Sequence, residues 1–500
     1  MHIQPRVAST IATFGATILA ATVLLAVPSG PLAAEDRYAD LTSCELSAAG
    51  GRLTASARCG TFEVPENPAM PDGRSLELAY AVLPARVARA QPDPVFFLAG
   101  GPGQSARETL PIMRHALREI NRQRDLIFLD QRGTGGSNRL DCAFDDDEAA
   151  WLDPSHEQII EQLADCRRRW DAELPHYTTA DGARDLEALR ERYGFEQVNL
   201  VGGSYGTRMA QVYLRHYPDR VRSVILDGVV PTRLHLGAEH GIQLDRSIQR
   251  LFDACAGDEQ CSDTFPDLDQ AFETLKARHP DHEDGPLINV THPRTGSAVE
   301  LPFTRATLAA ALRFLAYNPQ SQSMIPYLVH EAATTGEPAR LASQALIVTD
   351  QMSDMIALGL NFAVGCSEDW PGWPDVPGQE ETLLGNSMKE IYDQVCVDWP
   401  RGEVPADFHQ PFDSEAPILI LSGELDPVTP PVYGDEAAEQ FSNSLHLVAR
   451  GRGHIVLTQP CISTIAAEFV ATAGFDELDT DCMDRLGPEP FFLTLLGPAP

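Results

Sequence analysis

The stretch Val198-Asn199-Leu200-Val201-Gly202-Gly203-Ser204-Tyr205-Gly206-Thr207 decides the fold. Its apolar half reads as a buried strand, and it ends in G-x-S-x-G. The run Arg208 to Tyr217 follows, with Met209, Val212, Tyr213 and Tyr217 at helical spacing. Strand, sharp glycine turn and helix are the setting in which this motif presents a serine for chemistry. Gly202 and Gly206 leave room where the strand and helix backbones crowd. Ser204 then stands at the tip of the turn, at a helix N-terminus whose unpaired N–H groups favour developing negative charge. In a chain with 37 glycines the motif alone is a weak signal, so its surroundings must carry the reading.

Those surroundings alternate strand and helix. Leu76 to Leu83 reads as a strand. Pro94 to Leu98 reads as a short buried strand running into Ala99-Gly100-Gly101-Pro102-Gly103. Thr109 to Arg122 is helical. Asp125 to Leu129 is a strand ending in Asp130-Gln131-Arg132-Gly133-Thr134-Gly135-Gly136-Ser137. Two helical stretches, Glu157 to Leu174 and Ala180 to Tyr193, precede the serine turn, and the strand Val221 to Leu226 follows it. Such alternation predicts an α/β fold with a mostly parallel sheet covered on both faces.

The alternation stops near Pro231. From there to about Pro411 the pattern is helical, over Ala238–Ala256, Asp267–Arg278, Arg305–Tyr317, Ile325–Thr335, Pro338–Phe362 and Glu380–Val395, with one hairpin around Leu287 to Leu301. Strand patterning resumes at Pro417 to Gly423 and at Leu445 to Ala449, and a last helix runs from Ile462 to Ala473. The expected organisation is a core over 35–232, an inserted helical cap over 233–411, and the rest of the core over 412–500.

Residues 1–34 stand apart. Arg6 supplies a positive start, Ile11 to Val27 is apolar, and Pro28 to Ala34 has the small residues of a cleavage region. This reads as a secretory signal peptide cleaved after Ala34, with an uncleaved N-terminal membrane anchor as the alternative. No later stretch is long enough to span a bilayer, so no stable membrane association is expected after cleavage. All ten cysteines lie beyond the signal, an even number in a chain read as exported, which predicts disulfides. The simplest pairing joins neighbours in order: Cys44–Cys59, Cys142–Cys166, Cys255–Cys261, Cys366–Cys396 and Cys461–Cys482. The expected location is periplasmic or extracellular.

A net charge of −34 with only two lysines, Lys276 and Lys389, leaves no basic patch for nucleic acid. It suits a substrate with a positive end. No cofactor or metal is expected. No C-x-x-C pair is present, His279 and His282 lie in a polar loop, and neither Asp145–Glu148 nor Asp253–Asp269 has EF-hand spacing.

A serine hydroxyl needs a base, and the base needs a carboxylate to hold its tautomer. His454 lies in Gly451-Arg452-Gly453-His454, just past a strand. Asp426 lies in Gly423-Glu424-Leu425-Asp426-Pro427, just past the preceding one. Both are thereby expected at the carboxyl edge of the sheet beside Ser204. Glu424 and Asp227 are the competing acids. An oxyanion needs two donors, expected from the N–H of Tyr205 and that of Gly101 in the glycine loop.

With these pieces in place the chain resembles the α/β-hydrolase aminopeptidases typified by proline iminopeptidase, and more closely the secreted tripeptidyl-aminopeptidase-like branch. The resemblance rests on Gly100-Gly101-Pro102-Gly103, Asp130-Gln131-Arg132-Gly133 with Gly136-Ser137, Gly202 to Gly206, Gly423 to Pro427 and Gly453-His454, and spans about residues 76 to 473. It implies an α/β-hydrolase fold, a C-terminal region like that of the tripeptidyl-aminopeptidase branch, and catalytic roles for Ser204, Asp426 and His454. Proline iminopeptidases carry a histidine before the first loop glycine; this chain has Ala99. The implied activity is removal of N-terminal residues or short peptides through an acyl-enzyme, with an esterase using the same triad as the alternative.

An aminopeptidase must hold the ammonium group of its peptide substrate, and a carboxylate does that best. The segment Gly365-Cys366-Ser367-Glu368-Asp369-Trp370 offers Glu368, with Asp369 second. Similar segments in the branch lie in the cap near the active site. Trp370, Trp373 and Trp399 are candidates for the pocket wall. The sequence leaves the oligomeric state open.

Overall fold

The computed structural model describes residues 37–49, 51, 53–142, 157–279, 285–292, 295–344, 346 and 355–498. The signal segment 1–34, the acidic loop Asp145–Glu148, His282 and residues 345 and 347–354 of the expected helix Pro338–Phe362 lie outside the described residues. The described part of that helix is not continuous, because Ile356 bridges to Gln104, Ala357 is extended, and a separate helix starts at Leu358. Within 40–500 the described chain is one compact unit built on a sheet of nine strands.

In chain order the strands of this sheet are β1 (Thr42–Ser47), β2 (Thr54–Pro65), β3 (Ser75–Leu83), β4 (Val95–Leu98), β5 (Leu126–Leu129), β6 (Val198–Gly203) and β7 (Val221–Asp227). A separate hairpin, β8 (Leu287–Thr291) with β9 (Ala298–Pro302), comes next, and β10 (Ile418–Gly423) and β11 (Ser444–Ala449) complete the main sheet. The spatial order is β1-β2-β3-β5-β4-β6-β7-β10-β11. β1, β2, β3 and β5 pair antiparallel, and the pairs from β5 through β4, β6, β7 and β10 to β11 are parallel. Strands β4, β5 and β10 are buried at every residue, as unbroken apolar runs must be when helices cover both faces.

β1 and β2 escaped the sequence reading. In β2 the inward positions are Ala55, Ala57, Phe62 and Val64, and the first two are too small for a clear apolar alternation. The disulfide Cys44–Cys59 ties the two strands together. All five disulfides join neighbouring cysteines in order and leave none free. Among the described residues no helix is long and apolar enough to cross a membrane.

Between β7 and β10 the described regular elements are helices apart from the β8–β9 hairpin. Its helices include His240–Ala256, Leu268–Arg278, Arg305–Leu315 and Ile325–Thr335, each close to its expected range. They carry a core of their own, with Leu244, Ile248, Leu308, Leu312, Leu328 and Val329 all nearly inaccessible to solvent. The expected helix Glu380–Val395 begins only at Ser387, because Gln379–Glu381 turns as a short 3-10 segment.

Candidate active site

The order of the sheet reverses at β4. The chain leaves β4 toward β5 on one side and returns through β6 on the other, and such a switch point opens a crevice at the strands' carboxyl ends. β4 delivers the loop Gly100–Gly103 there, and β6 delivers Ser204. Ser204 has φ 54° and ψ −124°, a conformation costly for a residue with a side chain, and it precedes the helix Tyr205–His216. Its N–H is held by the Asp227 carbonyl at 2.9 Å. A methyl group on Gly202 would collide with the Gly206 carbonyl, and one on Gly206 with the Leu98 carbonyl, so the sharp turn depends on both glycines.

The glycine loop is held from both sides. Behind it, buried Asp130 at the end of β5 accepts hydrogen bonds from Ser105 Oγ at 2.6 Å and from the N–H groups of Arg107 and Gly136, each at 2.9 Å. In front, the Ala357 N–H donates to the Gly103 carbonyl at 2.9 Å, and Asn361 Nδ2 donates to the Pro102 carbonyl at 3.0 Å. Gly101 has φ 107°, open to glycine alone at little cost, and it lines the same cavity as Ser204 and Tyr205. Tyr205 is the first residue of its helix, so its N–H has no partner within that helix.

His454 Nδ1 lies 2.8 Å from Asp426 Oδ2. Thr429 Oγ1 touches both, at 2.8 Å from the carboxylate and 3.1 Å from the ring. The other carboxylate oxygen, Oδ1, accepts from the N–H groups of Val428 and Thr429 at 2.9 and 2.8 Å. The ring is further fixed by the edge-on packing of Tyr317, 5.0 Å between centroids, and by a 2.8 Å hydrogen bond from the His454 N–H to the Tyr317 carbonyl. Burial opposes charge on both partners, yet their mutual attraction prevails. The His454 pKa is raised and that of Asp426 is lowered.

The competing acids are engaged elsewhere. Asp227 accepts from the N–H groups of Val456 and Leu457 at 3.0 and 2.8 Å, and so shapes the loop after His454. Burial pushes its carboxyl up to about 6. Glu424 accepts from the Gly451 N–H at 2.8 Å.

Ser204, Tyr205, Gly101 and His454 line one cavity of about 600 Å³. Its described wall is largely apolar, with Met113, Leu234, Ile356, Leu358 and Val428, and it includes the cation Arg313. Trp370, Trp373 and Trp399 are not among the described residues of this wall, which corrects their expected place there.

Glu368 and Asp369 are also absent from the described lining. The helix Leu358–Val364 widens into a π turn over Gly365–Asp369, which directs both carboxylates toward Arg208 in the serine-bearing helix. Arg208 Nη1 lies 3.5 Å from Glu368, and its Nη2 lies 3.0 Å from Asp369. Glu368 also accepts from the Thr179 N–H at 2.6 Å and from its Oγ1 at 2.7 Å, and that hydroxyl lies 2.8 Å from the Tyr205 phenol oxygen. Burial, over the opposing pull of Arg208, pushes the Glu368 carboxyl up to about 7. The pair thus braces the serine turn from beneath. The geometry that brings Arg208 to these acids is tertiary, and no spacing in the sequence announces it.

His235, Asp369 and His409 offer three ligand atoms within 4.8 Å of one another, but the set does not suit a metal. His235 Nδ1 lies 2.7 Å from the Asp369 carbonyl, and both ring nitrogens of His409 face carbonyl oxygens, at 3.0 and 2.7 Å. The Arg208 guanidinium already occupies the Asp369 carboxylate.

Known proteins share the fold of this chain. The chain is 24% identical to the tripeptidyl aminopeptidase of Streptomyces coelicolor over 485 residues, covering 89% of this chain and 86% of that one. It is 29% identical to the serine protease Hip1 of Mycobacterium tuberculosis over 206 residues, 38% of this chain and 39% of the other. Among solved structures it is similar to the proline iminopeptidase of Mycobacterium smegmatis, at 17% identity and a TM-score of 0.38, covering 83% of this chain and 98% of that one. Residues 93–459 match the family model described as the alpha/beta hydrolase fold, from the start of the glycine-loop strand to just past His454. The chain belongs to the alpha/beta hydrolase fold family.

Proposed function

We propose that this protein is an exported serine peptidase of the aminopeptidase type, releasing N-terminal residues or short peptides through an acyl-enzyme. One observation carries the chemistry: His454, hydrogen-bonded to Asp426 at 2.8 Å, lines the same cavity as Ser204 on its strained turn. Ser204 Oγ attacks the substrate carbonyl carbon while its proton passes to His454 Nε2. The carbonyl oxygen becomes an oxyanion that accepts from the Tyr205 and Gly101 N–H groups. His454 then gives the proton to the leaving amine as the C–N bond breaks. Water, activated by the same imidazole, releases the acyl group. Asp426 holds the Nδ1–H tautomer throughout.

The peptidase reading is supported by the likeness to a tripeptidyl aminopeptidase over most of both chains. Export is supported by the five disulfides and the signal-like segment 1–34. The division into a core over 35–232 and 412–500 with a cap over 233–411 is part of the same proposal. Residues of the inserted segment, among them His240, Tyr317 and Ile356, form one wall of the cavity.

The test is a profile of the purified protein on aminoacyl-, dipeptidyl- and tripeptidyl-anilides beside p-nitrophenyl esters, with Ser204→Ala as control. Anilide turnover that disappears in the variant is expected. Turnover of esters alone would replace the peptidase reading by an esterase with the same triad.

A further inference from the structure

Among the described residues, the cavity holds a cation without an ionic partner. Arg313 belongs to the helix Arg305–Leu315 and lines the same cavity as Tyr317, His240 and His454. Among the described residues no carboxylate forms an ion pair with it. Its Nη2 instead lies 3.2 Å from His240 Nδ1, and its Nε is buried without a hydrogen-bond partner. Burial keeps His240 neutral, with its pKa well below the ordinary value, so this histidine orients the guanidinium without neutralising it. The Phe314 ring, 5.7 Å away, adds only a weak π contact. The one carboxylate among the described lining residues, Asp227, is committed to the Val456 and Leu457 N–H groups.

A charge drawn partly out of water with only neutral partners is costly, and an anion from a ligand offsets that cost. A guanidinium also presents paired N–H donors that match a carboxylate. Position assigns the side of the substrate. Tyr317 packs edge-on against His454, the group that protonates the leaving amine, and Arg313 lies four residues before it. We propose that Arg313 is a specificity residue that binds a carboxylate on the leaving-group side, the C-terminal α-carboxylate of a short peptide. This rests on the peptidase reading above and narrows it to peptides that end close to the scissile bond. In a chain of net charge −34, such a local cation also counters the general repulsion of an anionic substrate.

The experiment measures trialanine and trialanine amide as competitors of p-nitrophenyl acetate hydrolysis, and also as substrates, in the wild type, Arg313→Gln and Arg313→Lys. The acid-to-amide ratio cancels any change in general activity. The free acid is expected to compete at least ~30-fold better than the amide in the wild type. That preference should vanish in Arg313→Gln and survive in part in Arg313→Lys. No preference in the wild type, or a preference retained in Arg313→Gln, would overturn the proposal. Should Arg313→Gln fail to fold, the wild-type ratio and the lysine variant still decide. Competition by the acid without cleavage of either peptide would end the peptidase reading while leaving the anion site standing. A peptide amide bearing aspartate in place of its last alanine separates the sources: matching the free acid would assign Arg313 to side-chain carboxylates and overturn the C-terminal assignment.

Discussion

Replacing Asp426 by asparagine should abolish most activity for a reason that can be worked from individual hydrogen bonds. The carboxylate Oδ1 accepts two backbone N–H groups, from Val428 and Thr429, while Oδ2 faces His454 Nδ1. In the variant the amide oxygen must take the Oδ1 place. The opposite rotamer would set an NH₂ against two N–H donors and leave both unsatisfied, at about 1–3 kcal/mol each. The amide NH₂ therefore points at His454 Nδ1 and makes that nitrogen the acceptor. The imidazole proton moves to Nε2, which can no longer take the proton of Ser204. A histidine locked in the wrong tautomer costs about 10⁴-fold in kcat, or ~5.5 kcal/mol of barrier. Asp227→Asn is the matched control, because that carboxylate holds the loop N–H groups of Val456 and Leu457. It should lower Tm while costing less than about tenfold in kcat/KM at 25 °C. The assay is p-nitrophenyl ester hydrolysis across pH, with a thermal melt on each variant. A larger loss in Asp227→Asn, or Asp426→Asn within about 100-fold of wild type, would refute the assignment of the acid.

The raised His454 pKa should place the acid limb of kcat/KM above the ordinary imidazole value near 6.5, and Asp426→Asn should move what remains of that limb downward, since burial then acts without its opponent. A limb below 6.5 in the wild type would contradict the ion pair. Arg208→Met should be strongly destabilising, by about 3–5 kcal/mol in denaturant unfolding, because it leaves Glu368 and Asp369 buried without their counter-charge; an unchanged midpoint would dismiss the brace. Glu368→Gln should change kcat/KM equally on free-amine and N-acetylated peptides. A loss confined to the free amine would return this residue to the substrate's ammonium group. In the wild type, folding binds a proton at Glu368 between its unfolded pKa near 4.5 and its folded value of about 7. Stability therefore falls as pH rises through that window, and the glutamine variant should lack this slope. A thiol titration of denatured, unreduced protein should find almost none of the ten cysteines free, and several free thiols would contradict both the disulfides and export.

What could be read from the linear chain was whatever is encoded locally. The β6 run, its glycine turn and the helix after it are consecutive, and their steric demands fall on Gly202 and Gly206 themselves. Unbroken apolar runs announced β4, β5 and β10, and turns just past β10 and β11 put Asp426 and His454 at one sheet edge. Order along the chain offered nearest-neighbour cysteine pairing as the simplest choice without fixing it, and the structure has that pairing. What only the tertiary structure decided were the contacts between distant segments. Asp426 was the expected acid and Asp227 a competitor at another strand end, and the fold turns the first toward the imidazole and the second toward the backbone after it. Glu368 and Asp369 had the composition of an ammonium site, but Arg208, about 160 residues earlier, draws them beneath the serine turn. Arg313 carried no local signal at all. The proposed role of its guanidinium rests on the lack of a counter-charge among the described residues around it, and that is a property of the space the chain encloses, not of its order along the chain.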